Sequence, residues 1–193
     1  MNLSDVSNVF KGHSFRGKIP EDENGNVSVV NASNIDELNG IDYDGLKRTN
    51  LENSKRTEEI EVRELDILCV STGPRLYSCV AKGVNGRVVP TTHLTLIRAD
   101  HERVLPEYLS WFINNSQKYY LLNAQGSSVK NISTGTLKSL PVDLPPIEEQ
   151  KRIVDLNELL KEEEKLMTKL LENRKALIGE IQRCLSSGKL TIK

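Results

Sequence analysis

The rhythm of apolar and polar positions divides the chain near residue 145. Before it, apolar residues come in short runs bounded by Gly, Asn and Pro. The runs at 27–30, 60–62, 67–70, 77–81, 87–89 and 93–97 alternate or carry β-branched residues, and read as strands. A helix opens at Pro106, which suits a first turn, with Leu109, Phe112, Ile113 and Ser116 on one face and Trp111 nearby. Ser133-Thr134 reads as the cap of a second short helix. Residues 1–145 are therefore expected to form one α+β globular domain of short strands and few helices.

After Leu144-Pro145-Pro146 the period becomes helical. Pro146 suits the first helical position, Glu148 and Glu149 suit the positive end of the helix dipole, and Ser186-Ser187-Gly188 supplies the stop. The spacing predicts a helix over 146–187, roughly 60 Å long at about 1.5 Å per residue, followed by a tail at 188–193. A stripe of that length is too long for a small domain to bury, which points to a coiled coil. With Ile153 at heptad position a, the a positions are Ile153, Leu160, Met167, Arg174 and Ile181. The d positions are Leu156, Glu163, Leu170, Leu177 and Cys184. A parallel in-register pair sets Glu163 against Glu163 and Arg174 against Arg174, and like charges repel. In an antiparallel pair a faces d, and the register that matches Met167 with Leu170 also matches Glu163 with Arg174 of the partner. A polar pair at a seam specifies register and orientation. The expectation is an antiparallel homodimer; the alternative is a single helix lying on its own domain. Leu159, Leu166, Leu171 and Ile178 fall at e and g, widening the stripe toward the first domain or a further partner protein.

Composition sharpens this division. All nine aromatics precede the boundary, so the large core belongs to residues 1–145. The chain carries 26 Lys and Arg against 27 Asp and Glu, with 16 basic and 18 acidic residues before Pro146. Neither part is basic, so any nucleic-acid contact rests on local loops. Cys69, Cys79 and Cys184 are odd in number and lack CxxC spacing, which suits a reducing cytosol and neither a disulfide framework nor a zinc site. The opening residues show no basic and apolar leader, and no apolar run is long enough to span a membrane, so the expected location is cytoplasmic. Phosphate-loop, dinucleotide, zinc-protease and hydrolase motifs are lacking, and His13, His93 and His101 are scattered. An enzyme is not expected.

The junction LPVDLPPIEEQKRIV at 140–154 resembles the PLPPLxEQxxIV junction of specificity subunits of type I restriction-modification enzymes. KGHSFR at 11–16 resembles the family's GxSF opening. DILCVSTG at 66–73 resembles its GDILVSxxG segment, with Leu65 where Gly is usual. QGSSVKNIS at 125–133 resembles its GSxxxxIS loop. The resemblance covers nearly the whole chain, yet the usual subunit has two target-recognition domains and two long helices, and this chain has one of each. It implies a non-catalytic subunit reading double-stranded DNA for methyltransferase (M) and restriction (R) subunits. Those partners would hold S-adenosylmethionine and ATP, with no cofactor on this chain. Two copies about a two-fold axis imply a palindromic bipartite site with an unread spacer of at most about 18 bp.

Phosphate contacts need Lys, Arg or small donors on loops, and base contacts need Arg, Asn, Gln or Lys. Lys11, His13, Ser14, Arg16 and Lys18 alternate without an acid, and are the first choice for backbone contact. Thr72, Arg75, Arg87, Thr92 and His93 form a second group, and Ser127, Lys130 and Asn131 a third. Two other readings stand beside this one. In one the coil is a protein–protein adaptor and the loops are merely solvated. In the other the chain is an antitoxin-like or transcriptional DNA binder, although no basic recognition helix is visible.

Overall fold

A computed structural model describes residues 1–126 and 129–187, which fall into two units: residues 1–154, and the helix from Asp155 onward. In the first unit, β1 (Ser7–Lys11), β6 (Ile67–Val70), β7 (Tyr77–Val80) and β9 (Leu94–Ala99) form an antiparallel sheet in the order β1-β9-β6-β7. A second sheet runs β5-β2-β8, from Lys47–Thr49, Val27–Val30 and Val88–Pro90, with β2 and β8 parallel. The pair β3 (Ile35–Asp36) and β4 (Gly40–Ile41) completes the strands. The helices are α1 (Lys55–Glu59), α2 (Pro106–Asn114), α3 (Gln117–Asn123), α4 (Thr134–Lys138) and α5 (Ile147–Ser186).

The four-stranded sheet is buried on both faces, which is why β6 reads Ile-Leu-Cys-Val without a polar break. Ile67, Cys69 and Ile97 face a core containing Leu109, Ile113, Tyr120 and Leu137 of the helices. Leu68, Val70, Leu94 and Leu96 face Val30 and Val88 of the second sheet. Burial among apolar neighbours pushes the Cys69 thiol far up, so it behaves as a small apolar side chain.

One expected strand does not form. Residues 60–62 leave α1 through a turn at Ile60 and a bend at Glu61, and Val62 contributes a single bond to Val88 O at 2.8 Å. The reason is the tight turn after it, where Asp66 N–H donates to Arg63 O at 3.1 Å. Leu65, third in that turn, adopts φ +66°, so the conformation that glycine favours is kept by a leucine. Asp66 fixes the turn: buried, it accepts from Arg63 N–H at 2.8 Å and pairs with Arg98 at 2.7 and 2.9 Å. Arg98 also donates to Glu61 O at 3.0 Å and lies 5.6 Å over the Phe10 ring.

The first residues run beside the segment leading to α5. Leu3 N–H donates to Leu140 O at 2.9 Å and Val142 N–H to Met1 O at 2.7 Å. Pro146 stands just before α5 instead of inside it, its carbonyl accepting from Glu149 and Gln150 N–H at 2.9 and 3.1 Å. The 40-residue length of α5 agrees with the expected helix; its Gly188 stop and the tail lie outside the described residues.

The first two turns of α5 belong to the globular unit, where Ile153 and Val154 rest against the core. Gln150, fully buried, is the pin. Its Oε1 accepts from Leu105 N–H at 2.9 Å, and its Nε2 donates to Pro145 O at 2.9 Å and Arg103 O at 3.3 Å. The Gln of the junction motif thus ties the helix root to the loop before α2.

Candidate nucleic-acid interface

Strand direction decides which loops meet. β1 and β6 both run antiparallel to β9, so the end of β1, the end of β6, the start of β9 and the start of β7 share one end of the sheet. Residues 12–18, 71–76 and 91–93 emerge there. Backbone bonds join them side by side: Gly12 N–H to Leu94 O (3.2 Å), His13 N–H to Pro90 O (2.7 Å) and Ser71 N–H to His93 O (3.4 Å). Gly12 is required at this crossing, because a Cβ would stand 2.1 Å from Thr91 O.

The third group is hooked on from across the sequence. Gln125 and Asn131 exchange backbone bonds at 2.8 Å each, Gly73 N–H donates to Lys130 O at 2.8 Å, and Ile132 N–H donates to Ser71 O at 2.9 Å. Thr72 Oγ1 donates to Asn131 Oδ1 at 3.0 Å. Thr72, Lys130 and Asn131, separate in sequence, therefore form one patch. Ser127 lies outside the described residues.

The cations at this end differ in availability. Lys11, Arg16, Lys18 and Lys130 are exposed, and none is within ion-pair distance of a carboxylate among the described residues. Arg75 is held by Glu37 at 2.5 Å and stacks 4.9 Å from the Tyr77 ring centre. Arg87 sits at the opposite end of β8, half-buried, its Nε 2.7 Å from Glu61 Oε1, and does not join the patch. Ser14 and His93 are exposed and Thr92 half-buried. His13 packs edge-on against Phe15 at 4.7 Å; burial, and secondarily the nearby Arg56 cation, hold its imidazole below the ordinary histidine pKa. The sequence reading missed Arg56. Its signal is Ser54, whose hydroxyl accepts from Thr57 N–H at 3.2 Å and caps α1.

Beyond Val154 the helix carries a continuous unpartnered stripe. Leu156, Leu160, Met167, Leu170, Leu177 and Ile181 from the a and d positions, with Leu159, Leu166, Leu171 and Ile178 beside them, are 43–64% exposed. Glu163 and Arg174 are exposed between them, and Cys184 is half-buried. Among the described residues, Ile153 is the member of the expected seam that packs against the globular core. Among the described residues no cluster of His, Cys, Asp and Glu could hold a metal ion, and no helix is long and apolar enough to cross a membrane.

The fold has solved counterparts. The S subunit of the type I restriction-modification system from M. genitalium superposes with a TM-score of 0.60 at 16% identity, over 97% of this chain and 45% of that one. A chain from a structure describing complex assembly and conformational transition of the type I R-M system gives 0.71 at 15% identity, over 95% and 43%. The HsdS subunit from Thermoanaerobacter tengcongensis gives 0.62 at 20% identity, over 97% and 48%. The chain thus spans less than half the length of each. No curated protein matches it in sequence. The model of the type I restriction modification DNA specificity domain matches residues 1–175, and the chain belongs to that family.

Proposed function

We propose that the chain is a non-catalytic, sequence-specific DNA-recognition subunit of a type I restriction-modification enzyme. The observation that carries this reading is the convergence of three separate loops on one end of the sheet in a chain of the specificity family, with Lys11, Arg16, Lys18 and Lys130 exposed and outside ion-pair distance of a carboxylate among the described residues. Such a surface suits phosphate contact from a protein with no net positive charge. Methyltransferase and restriction subunits would bring S-adenosylmethionine and ATP, and this chain the address. Work on DNA with such partners is cytoplasmic.

The second half of the proposal is an antiparallel homodimer through α5. An apolar stripe of this length needs a cover, and the helix's charge distribution supports a second copy. From Ile147 to Leu166 there are seven acidic and four basic residues; from Met167 to Ser186 there are four basic and two acidic. Antiparallel pairing sets the acidic half on the basic half, and sets Glu163 against Arg174 twice. Two identical reading domains imply an inverted-repeat site with an unread spacer. Leu159, Leu166, Leu171 and Ile178, beyond a two-helix seam, suit a docked methyltransferase subunit.

Selection of bound duplexes from a random library, with the chain alone and with a methyltransferase subunit, tests this. The expected product is an inverted repeat around an unselected spacer, bound with an affinity that falls steeply as salt rises. Enrichment of no sequence overturns the DNA reading and leaves the adaptor. An asymmetric single half-site overturns the homodimer.

A further inference from the structure

We propose that Asn131, with its amide held by the Thr72 hydroxyl, reads an adenine through the major groove. This inference rests on the DNA-recognition reading and assigns base selection to one residue of that surface. The backbone of Asn131 is fixed on every side without help from its side chain. Its N–H and C=O are both used by Gln125, the preceding carbonyl accepts from Gly73, and the following Ile132 is 1% exposed. The side chain is exposed at the junction of two loops, and Nδ2 donates to no described residue.

An amide oxygen has two acceptor positions. Thr72 uses one at 3.0 Å, leaving Oδ1 able to accept from adenine N6–H while Nδ2 donates to N7. That donor–acceptor pair is what adenine offers in the major groove. The loops and the Thr72 bond fix the amide before DNA arrives, so little rotamer freedom is lost on binding. Lys11, Lys18 and Lys130 are point charges suited to phosphates, and Arg75 is committed to Glu37.

The test is selection from a random duplex library with the full chain and a methyltransferase subunit, using wild type, Asn131→Asp, Thr72→Val and Thr72→Ser. Thermal melting establishes that each variant is folded. Asp accepts only, so Asn131→Asp is expected to move the preferred base at one position of each half-site from adenine to cytosine. Thr72→Val is expected to flatten preference at that same position by about tenfold, and Thr72→Ser to keep it. Variants that select the wild-type motif, or lose affinity evenly over all positions, overturn the role of Asn131 and leave DNA recognition standing. A wild type that selects nothing overturns the reading beneath it.

Discussion

Leu65 shows how a single residue carries the cost of a shared turn. An L-residue in the left-handed region costs about 1–2 kcal/mol, and only glycine enters it freely. The turn persists because Leu65 N–H is bonded to Ala81 O at 2.8 Å, and because the buried Asp66–Arg98 pair follows at once. The Leu65 side chain belongs to none of the three core clusters, so little packing opposes its removal. Leu65→Gly is expected to stabilise the fold by about 0.5–1 kcal/mol, after allowing for the freedom glycine adds to the unfolded chain. Melting would rise by about 1–4 °C in calorimetry; a fall would show that the side chain contributes packing the turn needs. At this scale the resemblance was informative: an unusual Leu in a Gly position marked the residue that the structure finds strained.

Elements with a strong local signal were legible in sequence, and elements defined by distant partners were not. β2, β6, β7, β8 and β9 are short, largely buried runs carrying β-branched or aromatic residues, and α2 and α4 have Pro106 and Ser133 at their starts. β1 and β5 are partly exposed, mixed stretches whose ladders close only against β9 and β2. α3 leaves Leu121 and Leu122 exposed, so its pattern points to no buried face. The site showed the same division. The loops were nameable from their polar residues, but their meeting depends on strand order. That Arg87 stands apart with Glu61 follows from the direction of β8. The root of α5 is the clearest case of a motif whose purpose needed the fold. Gln150→Ala strands Leu105 N–H and the carbonyls of Arg103 and Pro145, and is expected to cost about 2–3 kcal/mol. Thermal and urea denaturation would both register the loss; an unchanged midpoint would mean that the pin is dispensable.

For the whole molecule, the long helix makes assembly the deciding property. The proposed dimer predicts that Glu163→Arg alone sets like charges together and weakens association, and that adding Arg174→Glu restores it. Size-exclusion with light scattering at micromolar concentration reads both. No loss in the single variant, or no rescue in the double, would overturn the register. The two-fold axis of such a dimer would supply the target symmetry proposed above, with neither proposed reading domain needing to differ from the other. A separate property follows from the hydrogen bonds between the first residues and residues 140–142. They place residues 1–3 beside residues 140–142 at the root of α5, so the entry into the globular unit and its exit toward the helix lie together. Replacing the segment between that entry and exit would leave the root of α5 untouched, so the proposed reading function could be exchanged as one piece.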